Sequence, residues 1–363
     1  MTPALDIVFL GLSITSSWGN GHATTYRGLV RELARLGHRV LFLERDVPWY
    51  AENRDLKRLP LGQAELYGSL EELKDRFSTT VGDADLVVVG SYVPDGIEVG
   101  RWAIETSRGI VAFYDIDTPV TLAKLSRRAC EYIEPHLIPR YDLYLSFTGG
   151  PVLDLLARQY GARAARPLYC SVDPELYGPA RIEARWDVGY LGTYSADRQP
   201  ALESLMLEAA RSWPEGRFVV AGPQYPHSIR WPRGVERIEH VAPPEHAPFY
   251  AAQRFTLNVT RGDMVRAGHS PSVRLFEAAA CGVPVISDMW PGIDEFFEPG
   301  TEILLARSGR DVLRYVRQMG EPERRLLGIR ARERVLRAHT AAHRARALLG
   351  YVDEIHGREK ALA

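Results

Sequence analysis

Short apolar runs alternate with segments of helical periodicity along this chain, and this alternation constrains the fold more than any other feature. Residues 6–12 and 39–43 are apolar runs, and between them residues 24–36 carry apolar side chains at helical spacing. This order predicts a βαβ unit. Further strand-like runs follow at residues 86–89, 109–114 and 142–147. The pattern favours an open parallel sheet with helices on both faces.

The alternation is interrupted between residues 167 and 187, where prolines and a glycine break any period, and it then restarts. The later strand-like runs are residues 188–191, 217–221, 235–241, 256–260 and 283–287, and the helical segments are residues 198–212, 249–253 and 272–281. A length of 363 residues also favours two medium domains over one core.

We therefore predict an α/β fold made of two Rossmann-like, doubly wound domains that face a central cleft. The N-terminal domain spans residues 1–172 and the C-terminal domain spans residues 173–335. A helix at residues 336–363 could pack back on the N-terminal domain. Ligands of such folds bind at the carboxyl ends of the strands, so functional residues are expected there.

Charge and composition exclude several classes of function. The chain has 45 basic and 46 acidic residues, so its net charge creates no overall positive electrostatic field that would attract nucleic acid. No nucleic-acid partner is therefore expected. Its three cysteines form no CxxC pair and cannot build a disulfide framework or a zinc site alone. No uncharged apolar run reaches the roughly 18 residues of a membrane span, and the N-terminus does not resemble a signal peptide. We expect a cytoplasmic protein without a transmembrane segment.

The segment at residues 268–288, GHSPSVRLFEAAACGVPVISD, is the most informative part of the sequence. Ser270 or Ser272 can cap a helix whose first amides form an anion site, and Arg274 lies about one turn inside that helix. Glu277 follows three residues later on the same face. The same spacing also fits an ordinary buried helix in which Arg274 and Glu277 form an ion pair.

This segment resembles the donor-nucleotide signature of the GT-B glycosyltransferases. In that signature a glutamate, seven residues and a second glutamate precede an alanine-rich helix, a glycine, any residue, a proline and an apolar strand. Glu277, Gly282 and Pro284 match it. The motif PSVRLFEAAACG, with LGTYSADRQPALESL, FVVAGPQYP and FTLNVTRGDM, is more similar to the CgeB-like, spore-maturation-type branch of the group 1 glycosyltransferases. The resemblance covers most of the chain and is strongest from residue 187 to about residue 300.

The resemblance implies transfer of a sugar from a nucleotide-diphosphate-sugar in the C-terminal domain to an acceptor in the N-terminal domain. Glu277 would hold the ribose hydroxyls, and the amides around Ser272 and Val273 would meet the diphosphate. Arg198, after the Gly192-Thr193 loop, lies where the family places a basic residue on the diphosphate.

Two positions depart from the family pattern. His269 stands where the family has its first glutamate, which contacts the donor sugar. The residue at this position therefore affects which sugar is held and whether the stereochemistry is retained. The usual lysine on the diphosphate is missing, and Arg274, then Arg261, would replace it. Between Lys124 and Lys360 every permanently charged basic side chain is arginine, which suits bidentate contacts to phosphate.

His240 and Val241 lie where such folds read the nucleobase through backbone groups, although the prolines after them fit an ordinary turn equally well. The predicted donor-binding residues are Gly192, Thr193, Arg198, His240, Val241, Arg261, His269, Ser270, Ser272, Val273 and Glu277.

The loop after the first strand, SSWGNGHATTYRG, is the predicted acceptor-side loop, with Gly19, Asn20 and Gly21 at its centre. Thr24 stands where a dinucleotide fingerprint would have its third glycine, so the loop does not indicate an oxidoreductase. His22 could act as a general base toward an acceptor hydroxyl, or it could cap the following helix or face solvent.

Asp115 and Asp117 follow an apolar strand and form a D-x-D pattern, which clamps a divalent ion in other glycosyltransferases. In a GT-B architecture arginines and helix amides already neutralise the phosphates, so no metal is expected. Asp115 is assigned to the acceptor side. Asp117 could bind the acceptor or cap the helix that starts near Pro119.

Together these expectations describe a metal-independent glycosyltransferase of the hexosyltransferase type, with retention favoured over inversion. His22, Asp117 and Arg274 are its predicted catalytic residues. It would have no tightly bound cofactor, and its co-substrate would be a nucleotide-diphosphate-sugar, with a UDP-sugar favoured. The acceptor could be a glycan, a small molecule, a lipid or a protein. Two alternatives stay open: a nucleotide-sugar epimerase or phosphorylase on the same fold, and a catalytically silent nucleotide-sugar-binding subunit.

Overall fold

The computed structural model describes residues 3–362, with side chains as far as residue 357. These residues cluster into two compact units. The N-terminal unit contains the chain up to Cys170 together with the helix that starts at Ala341, and the C-terminal unit is Ser171–Thr340. The chain therefore leaves its first unit, builds the second, and returns to the first.

The strands of the described residues are all short and, where they pair, parallel. In chain order they are β1 (Asp6–Gly11), β2 (Arg39–Arg45), β3 (Gln63–Tyr67), β4 (Leu86–Gly90), β5 (Ile110–Asp115), β6 (Leu143–Ser146), β7 (Ala165–Pro167), β8 (Trp186–Leu191), β9 (Phe218–Ala221), β10 (Val235–Ile238), β11 (Gln253–Asn258), β12 (Val285–Ser287) and β13 (Leu304–Leu305).

Helices connect these strands, and a π-helical turn at Glu203–Leu207 joins two of them into one continuous segment. The α-helices are α1 (His22–Arg35), α2 (Pro48–Ala51), α3 (Leu70–Asp83), α4 (Gly96–Thr106), α5 (Thr118–Ser126), α6 (Pro151–Tyr160), α7 (Gln199–Leu202), α8 (Glu208–Ser212), α9 (His246–Ala251), α10 (Gly262–Ala267), α11 (Val273–Ala280), α12 (Gly309–Gln318), α13 (Glu321–Ala338) and α14 (Ala341–Leu362).

The N-terminal sheet has the strand order β3-β2-β1-β4-β5-β6-β7 within the described residues. Its register places Ile7 of β1 between Val40 of β2 and Leu86 of β4. Every residue of β4 and of β5 is buried, which explains why these strands read as continuous apolar runs.

The C-terminal sheet has the order β10-β9-β8-β11-β12-β13 in the same part of the chain. Val188 of β8 is flanked by Phe218 of β9 and Phe255 of β11. These three side chains belong to a buried apolar cluster that also contains Tyr190 and Leu257. The cluster fixes the strands whose ends carry the site described below.

Helix α14 packs within the N-terminal unit. Arg344 donates from Nε to the carbonyl oxygens of Tyr169 at 3.1 Å and Cys170 at 3.3 Å. The Tyr351 hydroxyl donates to the Pro167 carbonyl at 3.0 Å. The helical segment that sequence analysis began at residue 336 is divided: its first residues end α13 in the C-terminal unit, and α14 starts at Ala341.

Some local predictions were wrong, for identifiable reasons. β3 was missed because it is an edge strand in which Tyr67 is the one buried residue, so its sequence QAELY carries no apolar run. β13 was missed because it has two residues. Gln253 was placed at the end of a helix, whereas α9 stops at Ala251 and Gln253 begins β11.

Candidate functional site

Each sheet reverses its strand order beside its first strand, between β1 and β4 in the N-terminal unit and between β8 and β11 in the C-terminal unit. Such a switch point leaves a crevice at the carboxyl ends of the strands, where ligands of open α/β sheets bind. In the C-terminal unit Leu191 ends β8 and Asn258 ends β11. The residues around these two strand ends form the candidate site.

Arg274 of α11 places a fixed positive charge at this switch point. Its Nε donates to the carbonyl of Leu191, and its Nη1 donates to Oδ1 of Asn258 at 2.8 Å. The guanidinium carbon lies 4.6 Å from the ring centroid of Tyr190, and the residue is only 7% exposed. Within residues 3–357 it forms no ion pair, so the pairing with Glu277 that the sequence left open is absent. Arg274 is therefore a buried cation without an ion-pair partner in the described residues, although its charge acts to lower the pKa of the buried Asp288 against the larger effect of burial.

Gly192 leaves room beside this cation. A Cβ atom at Gly192 would lie 2.8 Å from Nη2 of Arg274 and 2.7 Å from the Tyr190 hydroxyl. Any side chain larger than hydrogen would therefore crowd the guanidinium. The glycine of the predicted Gly192-Thr193 loop has a steric reason to be there.

Asn258 is a site residue that sequence reasoning missed. It is fully buried, its Oδ1 accepts from Arg274 and from Ser272 Oγ at 2.7 Å, and its Nδ2 donates to Thr260 Oγ1 at 3.2 Å and Ser287 Oγ at 2.9 Å. The available signal was a polar residue between Leu257 and Val259 in the predicted strand 256–260; because the observed strand ends two residues earlier, Asn258 lies at its carboxyl end.

The start of α11 does not have the cap that was expected. Ser272 occupies the N-cap position, but its side chain accepts no hydrogen bond from the helix amides and donates to Asn258 instead. Ser270 is buried and lies before the helix, which begins at Val273. The first amides of α11 thus have no side-chain cap from Ser272, as an anion site requires.

Arg198 lies near the same strand end. Its Nη1 donates to the Thr193 carbonyl at 3.2 Å and contacts the Tyr190 hydroxyl at 3.4 Å. Within the described residues its buried Nε has no hydrogen-bond partner. Arg198 and Arg274 therefore both contact Tyr190.

Arg261 differs from Arg274 because a carboxylate compensates it. Its Nε lies 3.7 Å from Oδ2 of Asp197, which also accepts from the Gly262 amide at 3.1 Å. Burial acts to raise the pKa of Asp197, but the Ser195 hydroxyl and the Arg261 charge outweigh it, so the pKa is lowered. This pair joins the loops after β8 and β11.

Glu277 is buried in a chain of polar side chains. Its Oε2 accepts from the Tyr250 hydroxyl at 2.9 Å, and its charge adds to burial, the larger cause, in raising the pKa of Tyr177. The Tyr177 hydroxyl lies 3.2 Å from Nδ1 of His246, and Nε2 of His246 lies 3.1 Å from the Val241 carbonyl. The predicted ribose residue is thus linked to one of the two predicted nucleobase residues; the other, His240, is exposed.

His269 faces another segment of the C-terminal unit. Its φ of 46° is in the left-handed region, and its amide donates to the Pro291 carbonyl at 2.6 Å. Nδ1 lies 2.9 Å from Oε1 of Glu295, and a Cβ on Gly292 would collide with the ring. The imidazole is held beside the residues that follow β12.

In the N-terminal unit the predicted aspartates lie at the end of β5, where Asp115 is the last residue of the strand and Asp117 follows it. Asp115 is fully buried and accepts from the Tyr144 hydroxyl at 2.6 Å and the Thr121 hydroxyl at 2.7 Å. Burial raises its pKa to about 6, although these hydrogen bonds act in the opposite direction. Asp117 occupies the N-cap position of α5 without a capping bond, and its Oδ2 accepts from Tyr92 at 3.0 Å. Among the described residues no cluster of His, Cys, Asp and Glu could hold a metal ion.

The loop after β1 is organised by Glu44, a second residue that sequence analysis missed. Oε1 of this fully buried carboxylate accepts from the hydroxyls of Ser13 at 3.0 Å and Thr15 at 2.6 Å. Oε2 accepts from the amides of Ile14 at 2.7 Å and Thr15 at 2.9 Å. No local pattern indicates this residue, because its partners lie about 30 positions away.

The predicted acceptor-side loop continues from there. Gly19 has a φ of 61°, which favours glycine, and Asn20 is buried and accepts from the His22 amide at 3.2 Å. Gly21 is the N-cap residue of α1, and His22 is its first residue. The His22 ring lies 5.7 Å from the Phe147 ring, which follows β6.

Residues 198–350, fewer than half of the chain, match a family model described as glycosyl transferase-like. A search of curated protein sequences gave no match.

Solved structures match nearly the whole chain. An α-glucosyltransferase in complex with UDP-glucose and DNA has a TM-score of 0.72 at 12% identity, covering 97% of this chain and 100% of that one. HepE of Anabaena in complex with UDP and glucose has a TM-score of 0.71 at 15% identity, with coverage of 96% and 100%. Sucrose-phosphate synthase of Thermosynechococcus elongatus has a TM-score of 0.67 at 15% identity, with coverage of 97% and 100%.

These likenesses establish the fold. The prediction of an α/β protein with two Rossmann-like units, the GT-B fold, is confirmed. Across residues 3–362 no helix combines the length and apolar character that crossing a bilayer would require.

Proposed function

We propose that this protein is a glycosyltransferase that moves a sugar from a nucleotide-diphosphate-sugar, with a UDP-sugar favoured, to an acceptor. The observation that carries the proposal is Arg274, a buried guanidinium at the switch point of the C-terminal sheet with no ion-pair partner in the described residues. An uncompensated buried charge is costly, and such groups concentrate at functional sites. A diphosphate would supply the missing negative charge.

Two further findings support a nucleotide-sugar as the source of that diphosphate. The glycosyl transferase-like match includes Arg198, Arg261 and Arg274. HepE was solved with UDP and glucose, and the α-glucosyltransferase with UDP-glucose. The resemblance to the CgeB-like branch, a retaining outcome and a cytoplasmic location remain predictions.

In the proposed reaction the bond between the anomeric carbon and the donor phosphate oxygen breaks, and a bond to the acceptor oxygen forms. The departing diphosphate gains negative charge. Arg274, Arg198 and the amides of Ser272 and Val273 would stabilise that charge without a metal ion. Arg261 is a weaker candidate for binding the diphosphate, because its charge is already paired with Asp197.

The remaining donor-side residues would read the rest of the nucleotide-sugar. Glu277, oriented by Tyr250, would bind the ribose hydroxyls through its second oxygen. His240 and Val241 would contact the nucleobase through backbone groups. His269 would bear on which sugar is accepted.

We assign the acceptor to the N-terminal unit. The acceptor hydroxyl loses a proton as it attacks, and His22 and Asp117 are the proposed groups to receive it. Asp115, Gly19, Asn20 and Gly21 would shape this side.

The first experiment is a thermal-shift panel of UDP, GDP and dTDP and their sugar conjugates, with and without magnesium. A ligand that binds only the folded state raises the melting temperature. We expect the largest shift with UDP or a UDP-sugar, equal in the presence of EDTA. No shift with any nucleotide would contradict the proposal.

A turnover assay with the best donor separates the alternatives. Release of the nucleoside diphosphate that depends on an acceptor is expected. Conversion of the donor without an acceptor would indicate an epimerase, and a requirement for inorganic phosphate would indicate a phosphorylase. Binding without turnover across a broad acceptor screen would indicate a silent subunit.

A further inference from the structure

We infer that Asn258 is a positioning residue that holds the Arg274 guanidinium in place for the donor diphosphate without forming an ion pair with it. This inference rests on the proposed function, because it concerns the same anion site.

The contacts of Asn258 use both ends of its amide. Oδ1 accepts from Arg274 Nη1 at 2.8 Å and from Ser272 Oγ at 2.7 Å. Nδ2 donates to Thr260 Oγ1 at 3.2 Å and Ser287 Oγ at 2.9 Å. The side chain therefore ties the N-terminal end of α11 to the ends of β11 and β12.

The Nδ2 end of the Asn258 amide is fixed indirectly by Asp288, which holds Thr260. Oδ2 of Asp288 accepts from the Thr260 amide at 2.9 Å, and Oδ1 of Asp288 accepts from the Thr260 hydroxyl at 2.8 Å. Since that hydroxyl donates to Asp288, its oxygen lone pairs face Nδ2 of Asn258. The orientation of the amide is thereby determined, with oxygen toward Arg274.

An amide performs this task in a way that a carboxylate cannot. An aspartate at position 258 would anchor Nη1 equally well, but it would form a buried ion pair and cancel the charge that an anion must meet. An amide carbonyl accepts the same hydrogen bond and carries no net charge. The residue at position 258 thus sets both the position and the available charge of Arg274.

The test compares Asn258→Asp and Asn258→Ala with the wild type in binding to two probes, UDP and uridine. UDP carries the diphosphate and uridine lacks it. Dissociation constants for UDP come from calorimetry, and weak uridine binding is followed by saturation-transfer NMR. Melting temperatures without ligand are recorded for every variant.

The matched control is Gln253→Ala. Gln253 is also a buried amide of β11, but it lies at the opposite end of the strand and bonds to the Phe249 carbonyl and the Thr256 hydroxyl. Its loss should lower the melting temperature and leave UDP affinity unchanged. If disruption of β11 alone changes the affinity for UDP, this control variant will show the change.

We expect Asn258→Ala to weaken UDP binding about tenfold, equivalent to about 1.4 kcal/mol, because one anchor of a charged group is lost. Asn258→Asp should weaken UDP binding more, because it keeps the Arg274 contact but pairs with its charge, and its melting temperature should fall because its second oxygen faces the lone pairs of Thr260. Uridine binding should not change in either variant. If Asn258→Ala does not fold, Asn258→Asp alone decides the matter.

Wild-type affinity for UDP in Asn258→Asp would overturn the inference and leave the proposed function intact. An equal loss of UDP and uridine binding would also overturn it, because the role would then be general support of the fold. Failure of the wild type to bind UDP would instead overturn the proposed function from which the inference is drawn.

Discussion

The two units share a topology but differ in charge at the functional edge of their sheets. In the N-terminal unit the strand ends carry the buried carboxylates Glu44, Asp115 and Asp117. In the C-terminal unit the corresponding crevice carries Arg274 and Arg198. The first edge is therefore called acidic and the second basic for these side chains, although the second also holds the buried carboxylate Asp288. Because the topology is shared, the difference lies in the strand-end side chains, and function resides in such sites and not in the fold.

The loops after the first strand of each sheet make the contrast sharper. In the N-terminal unit the amides of Ile14 and Thr15 are already bonded to the Glu44 carboxylate, so a protein group takes the place that a phosphate would have. In the C-terminal unit the loop begins with Gly192, which leaves space beside Arg274. We therefore expect the second loop, and not the first, to receive the diphosphate of the proposed donor.

The largest expected effect comes from Arg274→Ala, which would remove the basic side of this comparison. The variant should lose the stabilisation that this buried cation gives to the departing diphosphate in the transition state, so turnover should drop by about a hundredfold or more. UDP affinity and acceptor-dependent UDP release measure this.

The control for Arg274→Ala is Arg254→Ala. Arg254 lies at the start of β11, near the opposite edge of the same sheet, where its Nη1 lies 3.2 Å from Oδ1 of Asp187. It should retain wild-type turnover. Near-normal activity of Arg274→Ala would show that the charge contrast between the units has no role in the reaction.

The acidic side can be tested through the pH dependence of stability. Burial raises the pKa of Asp115 from 3.8 to about 6, so the folded protein holds this proton more tightly than the unfolded chain does. Ionising Asp115 therefore lowers the free energy of unfolding. This loss is absent below about pH 4, grows as pH rises from the unfolded pKa to the folded pKa, and reaches about 3 kcal/mol above pH 6. Asp115→Asn should therefore gain stability relative to the wild type between pH 4 and pH 7.

Urea unfolding of both proteins at several pH values measures this difference. Asparagine keeps an oxygen acceptor for Tyr144 or Thr121 and turns an N–H toward the other hydroxyl. Because that cost does not vary with pH, the pH-dependent part of the stability difference reports ionisation. An exposed control, Glu131→Gln, should show no such pH-dependent gain, since Glu131 is paired only with Lys124 at the surface. A free-energy difference between Asp115→Asn and wild type that stays constant over this range would mean that Asp115 is already ionised without cost.

A smaller effect is expected from Glu44→Gln. The amide that replaces the carboxylate would turn an N–H toward donors of the β1 loop, so the free energy of unfolding should fall by about 2 kcal/mol. UDP affinity should stay unchanged, since the residue belongs to the acidic unit. A loss of UDP binding with unchanged stability would break the assignment of separate roles to the two units.

How much of this could be predicted from sequence depends on the distance between the interacting residues. The alternation of apolar runs predicted both sheets, and the segment around residues 268–288 predicted α11 and Arg274 because that signal is local. Glu44 and Asn258 escaped prediction because all of their hydrogen-bond partners except Thr260 lie roughly 14 to 30 residues away. The edge strand β3 escaped because half-exposed strands carry no continuous apolar run.

The smallest expected effect concerns how the C-terminal unit distinguishes ribose from deoxyribose. Tyr250 donates to Oε2 of Glu277 at 2.9 Å, which orients the carboxylate proposed to bind the ribose. Tyr250→Phe removes one hydrogen bond to a charged group, so UDP affinity should fall by severalfold. The affinity for 2′-deoxy-UDP should fall less, because that ligand has one ribose hydroxyl fewer for Glu277.

The control is Tyr315→Phe, which removes a hydroxyl bonded to the Leu305 carbonyl in the same unit and should preserve the preference for UDP. An unchanged preference in Tyr250→Phe would place the sugar discrimination elsewhere, and the basic edge would then recognise its ligand by the diphosphate alone.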